Sequence, residues 1–134
     1  MDPDRNLQIV RRMFRLREAG DIEEAMSYYA EDAENQPITS DRLLRGRDEI
    51  RAFLADTAAA GTVLEPSTFR FEVNDAGQVA VFGRLRVRGQ DGIKDMPAAW
   101  IYTLEDGKVV RAEGYRNVAD AEAAFDGGQD DTST

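Results

Sequence analysis

The chain has 134 residues and a formal net charge of −9, with no cysteine and no histidine. That length suits one domain with a core of its own. The missing residue types exclude disulfides, thiolate metal sites, cysteine nucleophiles and the commonest general base, so neither a metal nor a cofactor is expected.

The acidic balance argues against nucleic acid and anionic membranes as partners. No apolar run approaches ~18 residues, and the N-terminus lacks the apolar centre of a signal peptide. The expected compartment is the cytoplasm, away from any membrane. The basic residues are nearly all arginine, with only Lys94 and Lys108 excepted. Arg5, Arg11, Arg12, Arg15 and Arg17 fall in the first expected helix and read as its solvated sides.

Asp2-Pro3 opens that helix: aspartate caps, and proline fits the first turn, where its missing N–H costs nothing. Leu7, Val10, Met13, Phe14 and the stem of Arg17 share one stripe, and Gly20 ends the run. Asp21 starts a second helix, with Glu24 placed for a capping box and Ile22, Ala25, Met26 and Tyr29 facing inward. Ala33 to Ile38 is a short polar strand that Pro37 keeps from a central position. A third helix over Arg47 to Ala60 buries Ile50, Phe53, Leu54 and Thr57.

Strands follow. Thr68 to Val73 and Gln78 to Arg88 both alternate, separated by Asn74-Asp75-Ala76-Gly77. The next pair, Ala98 to Leu104 and Val109 to Tyr115, flanks Asp106-Gly107, the strongest short hairpin signal. With those two residues as the turn, Ile101 faces Ala112 and Ala99 faces Gly114, giving a small apolar face. Trp100, Tyr102, Arg111 and Glu113 make a large aromatic, partly charged face. Either the small face lines a cavity and the aromatic face packs on a partner, or both are ordinary packing, with Tyr102 over Arg111 as a surface cation–π pair. Val118 to Phe125 reads as a closing helix, ending a single domain over 1–126, and 127–134 as a disordered acidic tail.

Three helices followed by a four-stranded antiparallel meander make an α+β domain. A strongly twisted sheet curls, and helices laid across it leave a cone with a mouth, where ligands usually go.

At this point the chain resembles the nuclear-transport-factor-2-like superfamily, in its SnoaL-like and ketosteroid-isomerase-like branch. The matching segments are FRLREAGDIEEAMSYYAEDAE, GRDEIRAFL and DGKVVRAEGYRN with the alanine-rich helix after it, spanning about residues 5 to 126. The resemblance implies a cone-shaped, cystatin-like α+β fold, often dimeric, with a small-molecule pocket between sheet and helices. It does not fix a chemistry. The ketosteroid isomerases' aspartate base falls at Pro37 or Gln36, their oxyanion-hole tyrosine at Met13, and their protonated aspartate at Ala99 or Trp100. The limonene-epoxide-hydrolase aspartate falls at Gly114, and the earlier strand offers Arg84 and Arg86 without an aspartate beside them. None of these positions supports the relatives' acid–base step.

The candidate pocket residues are therefore Met13, Tyr29, Gln36, Phe53, Arg84, Arg86, Ala99, Ile101, Ala112 and Gly114. Arg84 and Arg86 either point into the cavity, which calls for an acidic or polyoxygenated ligand, or are solvated while Val79, Val81, Leu85 and Val87 form the core. The regular apolar alternation favours the second. Two functions follow. One is a SnoaL-like pocket for a small, largely hydrophobic oxygenated molecule, of isomerase, cyclase or hydrolase type. The other is a non-catalytic ligand-binding or scaffold domain. A homodimer is expected from the resemblance and from the aromatic face.

Overall fold

A computed structural model describes residues 2–133, with side chains over 2–125. Helix α1 (Pro3–Glu18) is capped by Asp2, whose carboxylate accepts from the N–H groups of Asp4 and Arg5 at 3.1 and 3.3 Å. It buries Asn6, Val10, Met13 and Phe14. Helix α2 (Ile22–Met26) is a single turn and a half, and Asp21 makes no capping bond, so the expected capping box does not form. Strand β1 (Tyr29–Gln36) and the two-residue β2 (Leu44–Arg45) lead to α3 (Arg47–Ala59). Strands β3 (Val63–Val73), β4 (Val79–Gly89), β5 (Gly92–Glu105) and β6 (Lys108–Tyr115) precede α4 (Val118–Ser133). The tail expected at 127–134 lies outside the described side chains.

The expected meander is present as β3 to β6, but it belongs to one six-stranded, curved and unclosed sheet in the order β2-β1-β6-β5-β4-β3. The first strand is longer than expected and runs parallel to β6, pairing Asn35 with Ala112 and Gln36 with Glu113. Pro37 follows its last residue, so the missing N–H ends the strand rather than keeping it at an edge. Strand β3 is one outer edge. It carries Pro66, a bulge between Thr68 and Arg70, and Phe69, which is 72% exposed.

Each face of the sheet has its own core. Val10, Met13 and Phe14 of α1, Met26 of α2 and Ile50 of α3 pack with Val79, Val81, Leu85, Trp100, Tyr102 and Val109 on one face. Phe14 meets Trp100 and Tyr102 edge-on, with ring centroids 5.3 and 5.9 Å apart. On the other face Ala121 and Phe125 of α4 cover Ala80, Phe82, Ala99 and Ile101.

The last hairpin turns at Asp106-Gly107, both at positive φ, and pairs Glu105 with Lys108 as expected. Its register then departs from expectation. Leu104 pairs with Val109, but Thr103 pairs with Arg111, leaving Val110 as the extra residue of a bulge. The cause lies in burial. Leu104, Tyr102, Trp100 and Ala98 alternate inward along β5, while on β6 the inward residues Val109 and Ala112 are three apart. An odd spacing keeps both inside only if one residue is looped out.

That bulge corrects the assignment of faces. Tyr102 now pairs with Ala112, Trp100 with Gly114, Ile101 with Glu113 and Ala99 with Tyr115. The supposed outer aromatics are buried against α1, so Trp100 and Tyr102 are no exposed docking face. Ala99 and Ile101 lie beneath α4 instead of lining an inner cavity.

Candidate functional site

Between the sheet and the helices lies a largely apolar cavity of about 80 Å³, partly open to solvent. Met26 of α2, Ile50, Phe53 and Leu54 of α3, Leu64 of β3, Leu85 of β4 and Trp100 of β5 supply its apolar wall. Helix α3 reaches it because Ile50, Phe53, Leu54 and Thr57 recur at helical spacing toward β1 and β2. The segment Pro37-Ile38-Thr39 forms the wall beyond β1. Arg116 Nε donates to the Ile38 carbonyl at 3.0 Å, and Gln36 Nε2 donates to the Ser40 carbonyl at 2.6 Å, so both ends of that segment are tied down. Gly114 makes room for it: a Cβ there would lie 2.5 Å from Ile38 Cγ1 and 2.9 Å from its backbone nitrogen.

The polar groups of the wall are Arg17, Tyr29, Asn35, Gln36, Thr39 and Tyr102. Tyr29 comes from the start of β1 and Tyr102 from the middle of β5. Tyr29, Tyr102 and Arg17 lie near one another at that wall, close enough for their hydroxyls and charge to interact. Burial pushes the ionisation of both phenols upward, because the phenolate would lose its water; Arg17 only partly offsets this. Both therefore stay protonated at neutral pH and remain hydrogen-bond donors. No aspartate or glutamate is among the described residues that line the cavity. Elsewhere, too, the described residues hold no cluster of three His, Cys, Asp or Glu side chains suited to a metal.

Of the residues singled out in the sequence, Tyr29, Gln36, Phe53 and Ala112 line this cavity together. Gly114 stands just behind its wall, against Ile38. Met13 is packed in the core beneath α1 and does not reach the cavity. Arg84 and Arg86 do not enter it either. Gly89 pairs with Gly92, so Gln90-Asp91 make the turn and Arg84 pairs with Pro97. That keeps the arginines on the same face as Ala99, but this is the α4 face, beyond the reach of the helix. There they bind Asp95 at 2.7 and 3.9 Å, half-exposed. Val79, Val81 and Leu85 take the core, the arrangement the alternation favours.

Sequence reasoning missed Tyr102 and Trp100 because it assigned them to the outer face, and Arg17 because only its stem was considered. The Val109-Val110 doublet was the available signal: two successive β-branched residues at a hairpin break the period of two, and a bulge absorbs the surplus.

A family model described as a SnoaL-like domain matches residues 10–112. The chain belongs to the SnoaL-like family. Uncharacterised proteins of Mycobacterium tuberculosis and Mycobacterium bovis are each 33% identical over 129 residues, covering 92% of this chain and 98% of theirs. Among solved structures, an NTF2-like protein of unknown function from Burkholderia pseudomallei superposes with a TM-score of 0.74 at 19% identity, over 93% of this chain and 98% of that one. The epoxide hydrolase/cyclase-like enzyme SalBIII, described in pyran ring formation in the polyether salinomycin, gives 0.72 at 20% identity, over 89% and 95%. This SnoaL-like chain thus shares the NTF2-like fold, a curved sheet with helices across it. Among the described residues no helix is long and apolar enough to cross a membrane.

Proposed function

We propose that this SnoaL-like protein binds a small, largely hydrophobic oxygenated molecule in the cavity between sheet and helices. One observation carries the reading: in an otherwise apolar hollow, the two buried phenols and Arg17 converge as donors at one place. A few polar groups fixed in an apolar wall orient a ligand by its oxygen, while the apolar remainder supplies contact area.

The chemistry such a wall supports is polarisation. Tyr29 and Tyr102 donate toward a carbonyl, ether or epoxide oxygen and stabilise negative charge that develops there. Abstraction of a proton would need a base, and the described wall offers no carboxylate for it. The reading is thus of an isomerase-, cyclase- or hydrolase-type pocket that works on an oxygen, in keeping with the ring-forming role described for SalBIII. Trp100, the chain's sole tryptophan, lines the cavity and reports on its contents. Titrating aromatic and alicyclic ketones, lactones and epoxides should quench or shift Trp100 emission and raise the melting temperature. Ala112→Leu, which fills the cavity, should abolish both effects. A panel that moves neither signal overturns the reading.

The size of the hollow favours a second reading. About 80 Å³ lies well below the ~300 Å³ at which drug-sized ligand pockets begin. A non-catalytic domain with a nearly filled cone fits that volume, and a negative panel would select it. In either case a homodimer is proposed from the family's habit of pairing. Light scattering should give about twice the chain mass, and a strict monomer would remove the proposal.

A further inference from the structure

We infer that the ligand is an organic acid whose carboxylate pairs with Arg17 at the polar end of the cavity. This rests on the cavity being a ligand site, as proposed above, and adds the chemical class.

Arg17 is the arginine in the described lining of the cavity, and its setting differs from that of the arginines along the strands. Arg84, Arg86, Arg88 and Arg111 each lie within salt-bridge reach of a carboxylate. Arg17 has no such partner among the described residues, although it is partly buried and lines the cavity. It also lines an outer groove with Glu18, Glu65, Ser67 and Arg86, so it sits where cavity and groove meet. Glu65 in that groove is already bound by Arg88 at 2.7 Å, and Glu18 does not come within ion-pair distance of Arg17. What Arg17 lies against is neutral: its guanidinium carbon is 5.4 Å from the Phe14 ring centroid, and the Tyr102 phenol stands near it. A guanidinium carries five donors, and a ring face and a nearby phenol leave most of the fork unused.

The surroundings favour an anion as the missing partner. The described lining holds one positive charge and no negative one. Tyr29 and Tyr102 stand beside it as donors, so a carboxylate arriving there meets a cation and a phenol O–H together. A charge-assisted bond of this kind is about twice as strong as a neutral one. A neutral amide or ketone of the same shape would leave the guanidinium without its counter-charge.

The test is a matched pair of probes, benzoate and benzamide, titrated into the full chain with Trp100 emission and thermal shift as readouts. Benzoate should bind at least about tenfold more tightly than benzamide. Arg17→Gln should bring that ratio to about one, and Arg17→Lys should restore part of it, with unfolding midpoints of both variants checked against the parent. Added salt should weaken benzoate and leave benzamide alone. If both probes bind equally and Arg17→Gln changes neither, the acid preference is overturned while the cavity stands. If neither probe binds while the ketone, lactone and epoxide panel does, the acid preference is overturned and the cavity stands; if that panel is silent too, the cavity reading fails and the acid preference falls with it.

Discussion

Asn6 of α1 and Gly77, in the turn between β3 and β4, are joined by a buried hydrogen bond: the Asn6 amide donates to the Gly77 carbonyl at 2.9 Å across 71 residues of sequence. Asn6 is only 5% exposed. The bond fixes the start of α1 over the turn between β3 and β4, at the opposite end of the helix from Arg17. Asn6→Leu should leave the carbonyl unpaired in a buried place and cost about 1–3 kcal/mol. Urea unfolding would show a lowered midpoint with an unchanged slope; a midpoint equal to the parent's would mean that water replaces the amide.

Gly114 offers a second test. Its absent side chain lets Ile38 and the Gln36 carbonyl close over β6. Gly114→Ala places a methyl against the Ile38 backbone, which cannot rotate away. Overpacking of this kind costs about 1–3 kcal/mol. The loop that walls the cavity should be displaced as well, so Trp100 emission should shift in the absence of any ligand. Unaltered stability and emission together would show that the loop yields freely.

The two cavity phenols predict an alkaline limit. Their ionisation is raised in the fold, so the folded state holds their protons after the unfolded chain would release them. Their contribution is therefore complete below about pH 10, the ordinary tyrosine value, and is lost as pH rises beyond it. With no histidine or cysteine in the chain, no side chain adds a slope around neutrality. Stability should stay nearly level through neutral pH and then fall, by up to about 1.4 kcal/mol per pH unit for each ring. Tyr102→Phe should make that fall shallower. Unfolding curves in a pH series would decide it, and a level profile well above pH 10 would contradict the burial of the hydroxyls.

Arg84 and Arg86 give the opposite expectation. Both share Asp95 on the open part of the α4 face, at side-chain exposures of 44% and 55%. Exposed pairs of this kind contribute ~0–1 kcal/mol. Arg84→Gln with Arg86→Gln should leave probe affinity at the cavity untouched and shift the melting temperature by no more than about 4 °C. A loss of benzoate binding in that double variant would place the anion on the wrong arginine.

How far the sequence reached can be judged from single residues. Proline at position 3, the apolar stripe through Val10, Met13 and Phe14, and Asp106-Gly107 are local signals, and the fold keeps each of them. The position of Tyr102 was not local. It depends on whether Val110 is paired or looped out, and that depends on Val109 and Ala112 both being needed inside. One residue of slip exchanges the faces of a strand, so a correct hairpin yielded an inverted wall. The parallel pairing of β1 with β6 was hidden for a similar reason: partners about 77 residues apart leave no periodic trace in either segment. The composition is rich in arginine, but the sequence pointed to Arg84 and Arg86 as the cavity's only cationic candidates, and the apolar alternation favoured their being solvated. The place of Arg17 at the cavity was not legible, because it sits on a helix whose neighbours Arg11 and Arg12 are exposed.

The uncovered rim of the sheet has a consequence for how these molecules meet one another. An unclosed sheet leaves β3 with eleven residues of backbone that another chain could extend. Pro66 withholds a donor from that rim, and the kink at Phe69 throws the strand out of the even spacing that an incoming ribbon would have to match. The same irregularity that leaves a bare aromatic ring on the surface thereby denies a template for stacking chain upon chain into fibres.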